Sequence, residues 1–514
     1  MPDWSDGYVK GIDYTYDYYR ELNPLAVKLA LLKSGYTFDD VSTGASCELG
    51  FGFGVSTNIH AAASGSEWWG TDFNPAQAGF ARELGNASGA NVNLFDQSFA
   101  EFCQRTDLPD FDFIGLHGVW TWVSDENRRL IVDFVRRRLR VGGVMYISYN
   151  TQPGWAQMVP LRQLLTEHTE TLSPLGADIA SRIESALEFV DALVDASPGY
   201  AAINPGAASR IKAIRGQGRN YLAHEYFNRD WQPMLFSEFA RWFEPAKVSF
   251  ACSALYSDHF DVFNLLPEQV ELLNRIPDAT FQQSARDVVI NRQFRKDYWV
   301  KGPRRMEARD QHLALRAHRV ILLTHPDDIV LSAGGSLTER ELPEVIYRPL
   351  IELLADRQIH CLGELEEGMQ KKGIPFGQML EAFMVLAGKG DAASVQDDAV
   401  IKRARRTTAK LNRHLIESSL STSKIRALAS PVTGGGLHVQ PFFLQMLLAR
   451  QRGLEAPEQW AGFIQNDLAS KGAGIVNPEG GLMSPEAGIA ALTEVGRSFA
   501  RKTLPGLQTL KIVD

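Results

Sequence analysis

Cysteine is scarce in this chain: Cys47, Cys103, Cys252 and Cys361 are scattered over 514 residues and form no C-x-x-C pair. Such spacing excludes a disulfide framework or a zinc ribbon and fits small buried hydrophobes in a reducing compartment. No uninterrupted apolar run reaches the roughly 18 residues that a membrane-spanning helix requires. Met1 to Lys10 carries acids and aromatics where a secretory signal needs a basic region and an apolar run, so a cytoplasmic protein is expected. An excess of positive charge is missing as well. Lys plus Arg 53 against Asp plus Glu 61 gives −8, with a pI near 5.8, a balance without general attraction for nucleic acid or an anionic membrane. The remainder, 45% hydrophobic and 22% charged, is ordinary for a soluble globular protein, and 57.1 kDa is enough for two or three domains.

One stretch organises the rest: Cys47-Glu48-Leu49-Gly50-Phe51-Gly52-Phe53-Gly54-Val55, read as a strand end, a glycine loop and a helix start. Gly50 and Gly52 allow a tight turn at positive φ and a close backbone approach to a ligand, and the helix that follows points free amide groups at the loop. Glu48 decides what kind of ligand. A carboxylate beside the loop repels phosphate but accepts hydrogen bonds from an ammonium or hydroxyl group. A dinucleotide fingerprint would also place its third glycine at position 55, where this chain has Val55. The pattern E-x-G-x-G-x-G, through Gly54, is instead similar to motif I of class I S-adenosylmethionine-dependent methyltransferases, whose ligand joins a cationic sulfonium, an amino-acid tail and a ribose. An ordinary glycine-rich turn is the plainer alternative.

Two further acids fall in register with that motif. Glu67 to Thr71 reads as a second strand ending at Asp72, 22 positions beyond Gly50, the spacing at which a βαβ unit brings an acid to ribose hydroxyls; Phe73 follows it as a candidate pocket residue. A third strand, Asn91 to Phe95, ends at Asp96-Gln97-Ser98, which by the same resemblance sit by the adenine. Taken singly, Asp72 or Asp96 suits a helix cap or turn equally well.

Upstream, the tyrosine-dense segment Asp13 to Pro24 reads as a lid or an amine-binding cage, since tyrosine faces attract alkylammonium groups, or as a helix packed on the sheet; Tyr14 is the residue singled out. Downstream, Phe111 to Gly118 suits a central strand whose end, His117 to Trp122, faces the ligand in an open α/β sheet. Trp120 and Trp122 suit an apolar wall or plain core. Leu130, Ile131, Phe134 and Val135 mark a helix face, Arg136 to Arg140 a basic helix end, and Val144 to Asn150 a fifth strand.

At Tyr149-Asn150-Thr151-Gln152-Pro153-Gly154-Trp155 the resemblance narrows. With His224-Glu225-Tyr226 and Asn291-Arg292-Gln293-Phe294-Arg295, it is similar to a bacterial family of protein lysine methyltransferases that carry a methyltransferase regulatory domain and include enzymes acting on outer-membrane proteins. The resemblance implies S-adenosyl-L-methionine as cofactor, a protein substrate and no metal. Ile179, Ile183, Leu187, Val190, Leu193 and Val194 form one helix face within a helical insertion from about 160 to 245, before the sheet resumes at Val248 to Cys252 and near Asp297 to Val300.

After Gly302-Pro303-Arg304-Arg305 the signals change to short strands, helices and glycine-rich turns. Pro431 to Gly436 reads as the tip of a wing and makes a winged-helix-like module plausible. Lys402-Arg403-Ala404-Arg405-Arg406, with Lys410 and Arg413, reads as a solvated or protein-docking face ahead of a DNA site. His325-Pro326-Asp327-Asp328 reads as capping ahead of a metal site.

The expectation is therefore an α/β chain. Residues 1–305 form a Rossmann-like class I methyltransferase sheet with a helical insertion, and 306–514 an α+β, winged-helix-like regulatory domain. Lysine N-methylation is the expected reaction, with a small-molecule or saccharide methyltransferase and a non-catalytic cofactor-binding scaffold as alternatives. Glu48, Gly50, Gly52, Gly54, Asp72, Phe73, Asp96, Gln97, Ser98 and His117 are the candidate cofactor residues. Tyr14, His117, Trp120, Tyr149 and Asn150 are candidates to orient the amine.

Overall fold

The computed structural model describes residues 15–38, 44–173, 176–337, 339–477 and 480–514. Its main sheet has seven strands: β1 (Ala45–Leu49), β2 (Glu67–Thr71), β3 (Val92–Phe95), β4 (Phe111–Leu116), β5 (Leu139–Asn150), β6 (Val248–Ser253) and β7 (Phe294–Lys301). Their order is β3-β2-β1-β4-β5-β7-β6. The first five run parallel, β7 runs antiparallel to β5, and β6 antiparallel to β7. All five residues of β1 are buried, polar Ser46 and Glu48 among them, as expected of a strand covered on both faces. The strand order reverses between β1 and β4, and an open sheet of this kind leaves its crevice there, beyond the carboxyl ends of those strands.

The helices around that crevice start where the sequence supplies caps. α1 (Pro24–Lys33) and α3 (Pro75–Ser88) follow Asn23 and Asn74, whose side chains accept from Leu25 N and Ala76 N at 2.9 and 3.0 Å. α4 (Phe99–Cys103) opens on a Ser98/Glu101 capping box and α5 (Asp125–Arg138) on Ser124. α2 (Val55–Ser64) and α3 end on Gly65 and Gly89, both left-handed. The arginine run ending α5 lies on an exposed face: Arg136 and Arg137 pair with Asp133, while Arg138 donates to Leu108 O at 2.8 Å.

Five helices between Val159 and Tyr226 form the insertion, with their own core of Trp155, Leu165, Ile183, Leu187, Val190 and Ile211. A sixth, Phe236–Phe243, returns the chain to the sheet. The insertion is anchored by two of the segments that carry the family resemblance. Thr151 N donates to Gln293 O, Gly154 N to Arg292 O and Trp155 Nε1 to Gln293 O, at 2.8–3.1 Å. A Cβ at Gly154 would lie 2.5 Å from Arg292 O, so this contact needs glycine. Below it Arg295 is buried between Asp287 and Asp297, at 2.8 and 2.7 Å.

Beyond residue 305, β8 (Arg319–Leu322) is the middle of a three-stranded antiparallel sheet, and a short β9 (Ser332–Ala333)/β10 (Arg340–Glu341) ladder follows it in sequence. Its partners there are β11 (His360–Cys361) and β12 (Ala392–Ser394). The hydrophobic core runs through the junction, since Leu22, Leu29 and Leu31 share a cluster with Leu315, Val320 and Met379. A long helix, Asp398–Ser418, packs on α2 and α3. The hairpin β13 (Ala427–Ser430)/β14 (Gly435–His438) packs on α2 beside it. The turn expected as a wing tip is the loop of this hairpin, but it is buried: Asn23 Nδ2 donates to Thr433 O at 3.0 Å, and a Cβ at Gly435 would lie 2.4 Å from Tyr18 Oη. A wing presents its tip; this one is closed over by the N-terminal segment. His325 Nδ1 accepts from Asp327 N at 3.3 Å, a capping contact. Cys47, Cys103 and Cys252 are buried thiols and Cys361 is half-buried, all free. Among the described residues no helix is long and apolar enough to cross a membrane.

Candidate active site

The crevice beyond β1, β2 and β4 is built on the glycine loop. Gly50, Gly52 and Gly54 take φ of 76°, 59° and 65°, a region costly for other residues. A Cβ at Gly50 would lie 2.5 Å from Val119 Cγ2, and one at Gly54 2.5 Å from Ala81 Cβ, so these two glycines serve packing. Gly52 differs. A Cβ there would meet nothing within 4 Å and would occupy the crevice itself.

Two carboxylates face this space. Glu48 is 2% exposed and accepts from the Thr57 hydroxyl; burial pushes its carboxyl up to about 8, with the neighbouring Asp72 adding to the rise. Asp72 is 7% exposed. Its two oxygens accept from Gly52 N and Asn74 N at 2.8 and 3.0 Å, and burial still pushes it up to about 6. One acid thus ties the loop in place, and among the described residues no lysine or arginine lines the crevice to pair with either. Phe73, Gln97 and Ser98 complete that side.

The opposite wall is His117 with Tyr19. Their rings stack at 3.5 Å, and His117 Nδ1 lies 2.8 Å from the Tyr146 hydroxyl. Burial pushes the imidazole down to about 3, so His117 is neutral at pH 7. Trp122, Asn127, Asp17 and Asp230 close the rim.

Several expected residues are elsewhere. Asp96 turns outward to Arg82 on α3, half-exposed, and does not line the crevice; only its neighbours Gln97 and Ser98 do. Trp120 is fully buried among Phe239, Trp242 and Phe243, so the tryptophan pair divides into one core and one rim residue. Tyr149 is fully buried, stacked on Phe239 at 4.4 Å with its hydroxyl 3.5 Å from Asp297. Asn150 is spent on Thr121 Oγ1 at 3.3 Å. Neither borders the crevice. Tyr14 lies outside the described residues; among the described tyrosines of that segment, Tyr19 reaches the wall. Asp230, from the insertion, carried no local signal at all.

The donor set fits a cationic nucleoside: two buried carboxylates with no cation, a glycine with open space above it, and amide and hydroxyl side chains at the β3 end. A phosphate ligand would find like charge and, among the described residues, no basic side chain.

Comparison with known proteins agrees with this chemistry. A methyltransferase domain model matches residues 47–147, β1 through most of β5. A model described as a predicted methyltransferase regulatory domain matches 218–301. That match covers the end of the insertion and the last two strands of the main sheet, upstream of 306–514, where the regulatory domain was expected. The chain is 36% identical to the uncharacterized Synechocystis protein sll1526 over 513 residues, 99% of both chains. It is 28% identical to uncharacterized RP789 of Rickettsia prowazekii over 286 residues, 54% of this chain and 49% of that one. Its fold is similar to PKMT2 from Rickettsia typhi in complex with AdoHcy, at TM-score 0.70 and 17% identity, covering 97% of this chain and 99% of the other. The chain belongs to the family of S-adenosylmethionine-dependent methyltransferases that carry a methyltransferase regulatory domain.

Proposed function

We propose that this methyltransferase N-methylates lysine side chains of a protein, with the crevice beyond β1 and β4 as the site of transfer. The observation that carries the reading is the rim. Asp17 and Asp230 stand at the mouth of a crevice that no basic side chain lines among the described residues and whose wall is the Tyr19–His117 stack. A lysine ammonium would be drawn by the two acids and held against an aromatic face. The likeness to PKMT2, a protein lysine methyltransferase by name, supports a protein substrate.

In this reading Glu48, Asp72, the Gly50–Gly54 loop, Gln97 and Ser98 hold S-adenosylmethionine, which supplies an electrophilic methyl group on a sulfonium leaving group. The protein's own contribution is positional. Asp72 fixes the loop through Gly52 N and has lone pairs left for ribose hydroxyls. Tyr19 and His117 exclude water beside the transfer point. The amine, with a reference pKa near 10.4, gives its proton to water at the mouth, and desolvation on entry beside the cationic sulfonium keeps it neutral.

Asp72→Ala should lower affinity for S-adenosylhomocysteine by about 1–3 kcal/mol. Asp96→Ala, which removes only a half-exposed pair with Arg82, should change it by less than about 0.5 kcal/mol. Calorimetric titration of the two variants distinguishes them, and equal losses would mean that the acid of β3 has been misplaced.

Incubation with tritiated methyl donor and bacterial protein fractions, followed by mass spectrometry, tests the substrate. Label on lysine Nζ is expected. Label confined to metabolites or saccharides would replace the protein substrate with a small one.

A further inference from the structure

The basic run on the helix Asp398–Ser418 divides in two. Arg403 and Lys410 face the body of the protein: Arg403 Nε lies 3.0 Å from a Cβ position at Gly65, and Lys410 Nζ 3.7 Å from one at Gly89. Those glycines cap the carboxyl ends of α2 and α3, so each cation sits where a helix dipole favours it. Thr407 reinforces the contact by donating to Ala62 O at 2.7 Å.

The other four cations have no such role. Lys402, Arg405, Arg406 and Arg413 line a groove of about 680 Å³ on the face turned away from α2, where Arg450 of the helix Pro441–Gln451 and Lys511 of the last residues join them. Six cations from three separate parts of the chain therefore converge. Among the described residues none of the six side chains makes an ion pair or a hydrogen bond, and the one acid lining the groove is Asp514. The floor is aliphatic, with Leu447 and Ile512 nearly buried beneath the cations.

We propose that this groove is an exosite that docks an Asp/Glu-rich segment of the protein substrate, away from the lysine being methylated. It rests on the protein-substrate reading above. Charge complementarity selects an acidic occupant: six cations against the single lining residue Asp514, on a chain of net charge −8, are a local inversion of sign. The lining selects a polypeptide, because apolar side chains between the acids can seat on the exposed Ala409 and the half-buried Val513. Among the described residues no aromatic side chain lines the groove to stack a base, as a single-stranded nucleic acid site would provide. One substrate would thus carry its lysine to an acidic mouth and its acids to a basic groove.

Fluorescence anisotropy of a labelled octaglutamate peptide with the full-length protein tests the proposal. Binding should weaken at least tenfold between 50 and 300 mM salt, and at least tenfold in the triple variant Lys402→Glu, Arg405→Glu, Arg406→Glu. These residues are exposed, so the variant should keep its melting temperature and its affinity for S-adenosylhomocysteine. A lysine peptide with a glutamate tail should show a KM at least tenfold below that of the same peptide without it. The advantage should vanish in the triple variant at unchanged kcat. Absent binding, binding indifferent to the charge reversal, or displacement of the peptide by a DNA duplex at lower concentration would overturn the exosite. Salt- and charge-sensitive peptide binding without methylation of any protein would uphold the groove and overturn the protein-substrate reading instead.

Discussion

Glu48→Gln should raise the stability of the ligand-free protein while costing roughly 10- to 100-fold in affinity for S-adenosylmethionine. Both effects come from one buried carboxyl. Its pKa is raised from 4.5 to about 8 because burial penalises the charge and Asp72 stands beside it. The unfolded chain loses that proton near pH 4.5 and the folded chain keeps it to about 8, so stability declines as pH rises through this window. Glutamine keeps the acceptor for the Thr57 hydroxyl and has no charge to bury. The gain should be on the order of 3 kcal/mol at pH 7 and disappear near pH 4.5. Binding runs the other way. A ligand with a sulfonium and an ammonium favours the ionised carboxylate, so wild-type affinity should rise between pH 6 and 8 and level off above. Up to one proton should be released on binding at pH 7. Titration in two buffers of different ionisation enthalpy measures that release, and melting curves at pH 5 and 7.5 measure the stability. A pH-independent affinity with no proton release would mean that Glu48 does not meet the ligand's charge.

Gly52→Val should abolish cofactor binding and activity. Two penalties coincide. The residue sits at φ 59°, where a β-branched side chain costs on the order of 1–3 kcal/mol, and its side chain would enter the one part of the loop where a Cβ meets open space. The amide that donates to Asp72 at 2.8 Å would be disturbed as well. Gly54→Val is the instructive contrast: it should lower the melting temperature by clashing with Ala81 before it affects any ligand. Calorimetry with S-adenosylhomocysteine beside thermal melts separates these outcomes.

Features encoded locally were legible in the sequence. The strand, glycine loop and helix from Cys47 to Ser64 follow from adjacent residues, and the spacing to Asp72 follows from the length of one βαβ unit. Asp96 was not legible in the same way. Whether an acid at a strand end faces the crevice or the solvent depends on Arg82, which α3 brings from another element. Tyr149 and Asn150 failed for a related reason: their segment marks the family, but its contacts with residues 292–293 show that it fastens the insertion to the sheet. The turn at Pro431 to Gly436 looked like a wing because turn chemistry is local, whereas its burial under Tyr18 and Asn23 is not. Asp230 entered the rim from the part of the insertion beyond the periodic helix face that ends at Val194. The division of the basic helix into two capping cations and four in a groove likewise needed the positions of Gly65 and Gly89.

A crystal structure of the protein with S-adenosylhomocysteine and a lysine-bearing peptide is the most direct test. The ribose hydroxyls are expected on Asp72, the amino-acid tail beside Glu48 and Gly52, and the peptide Nζ between the Asp17/Asp230 rim and the Tyr19–His117 wall. A nucleoside seated away from the Gly50–Gly54 loop, or a peptide lysine that enters by another face, would contradict the assignment.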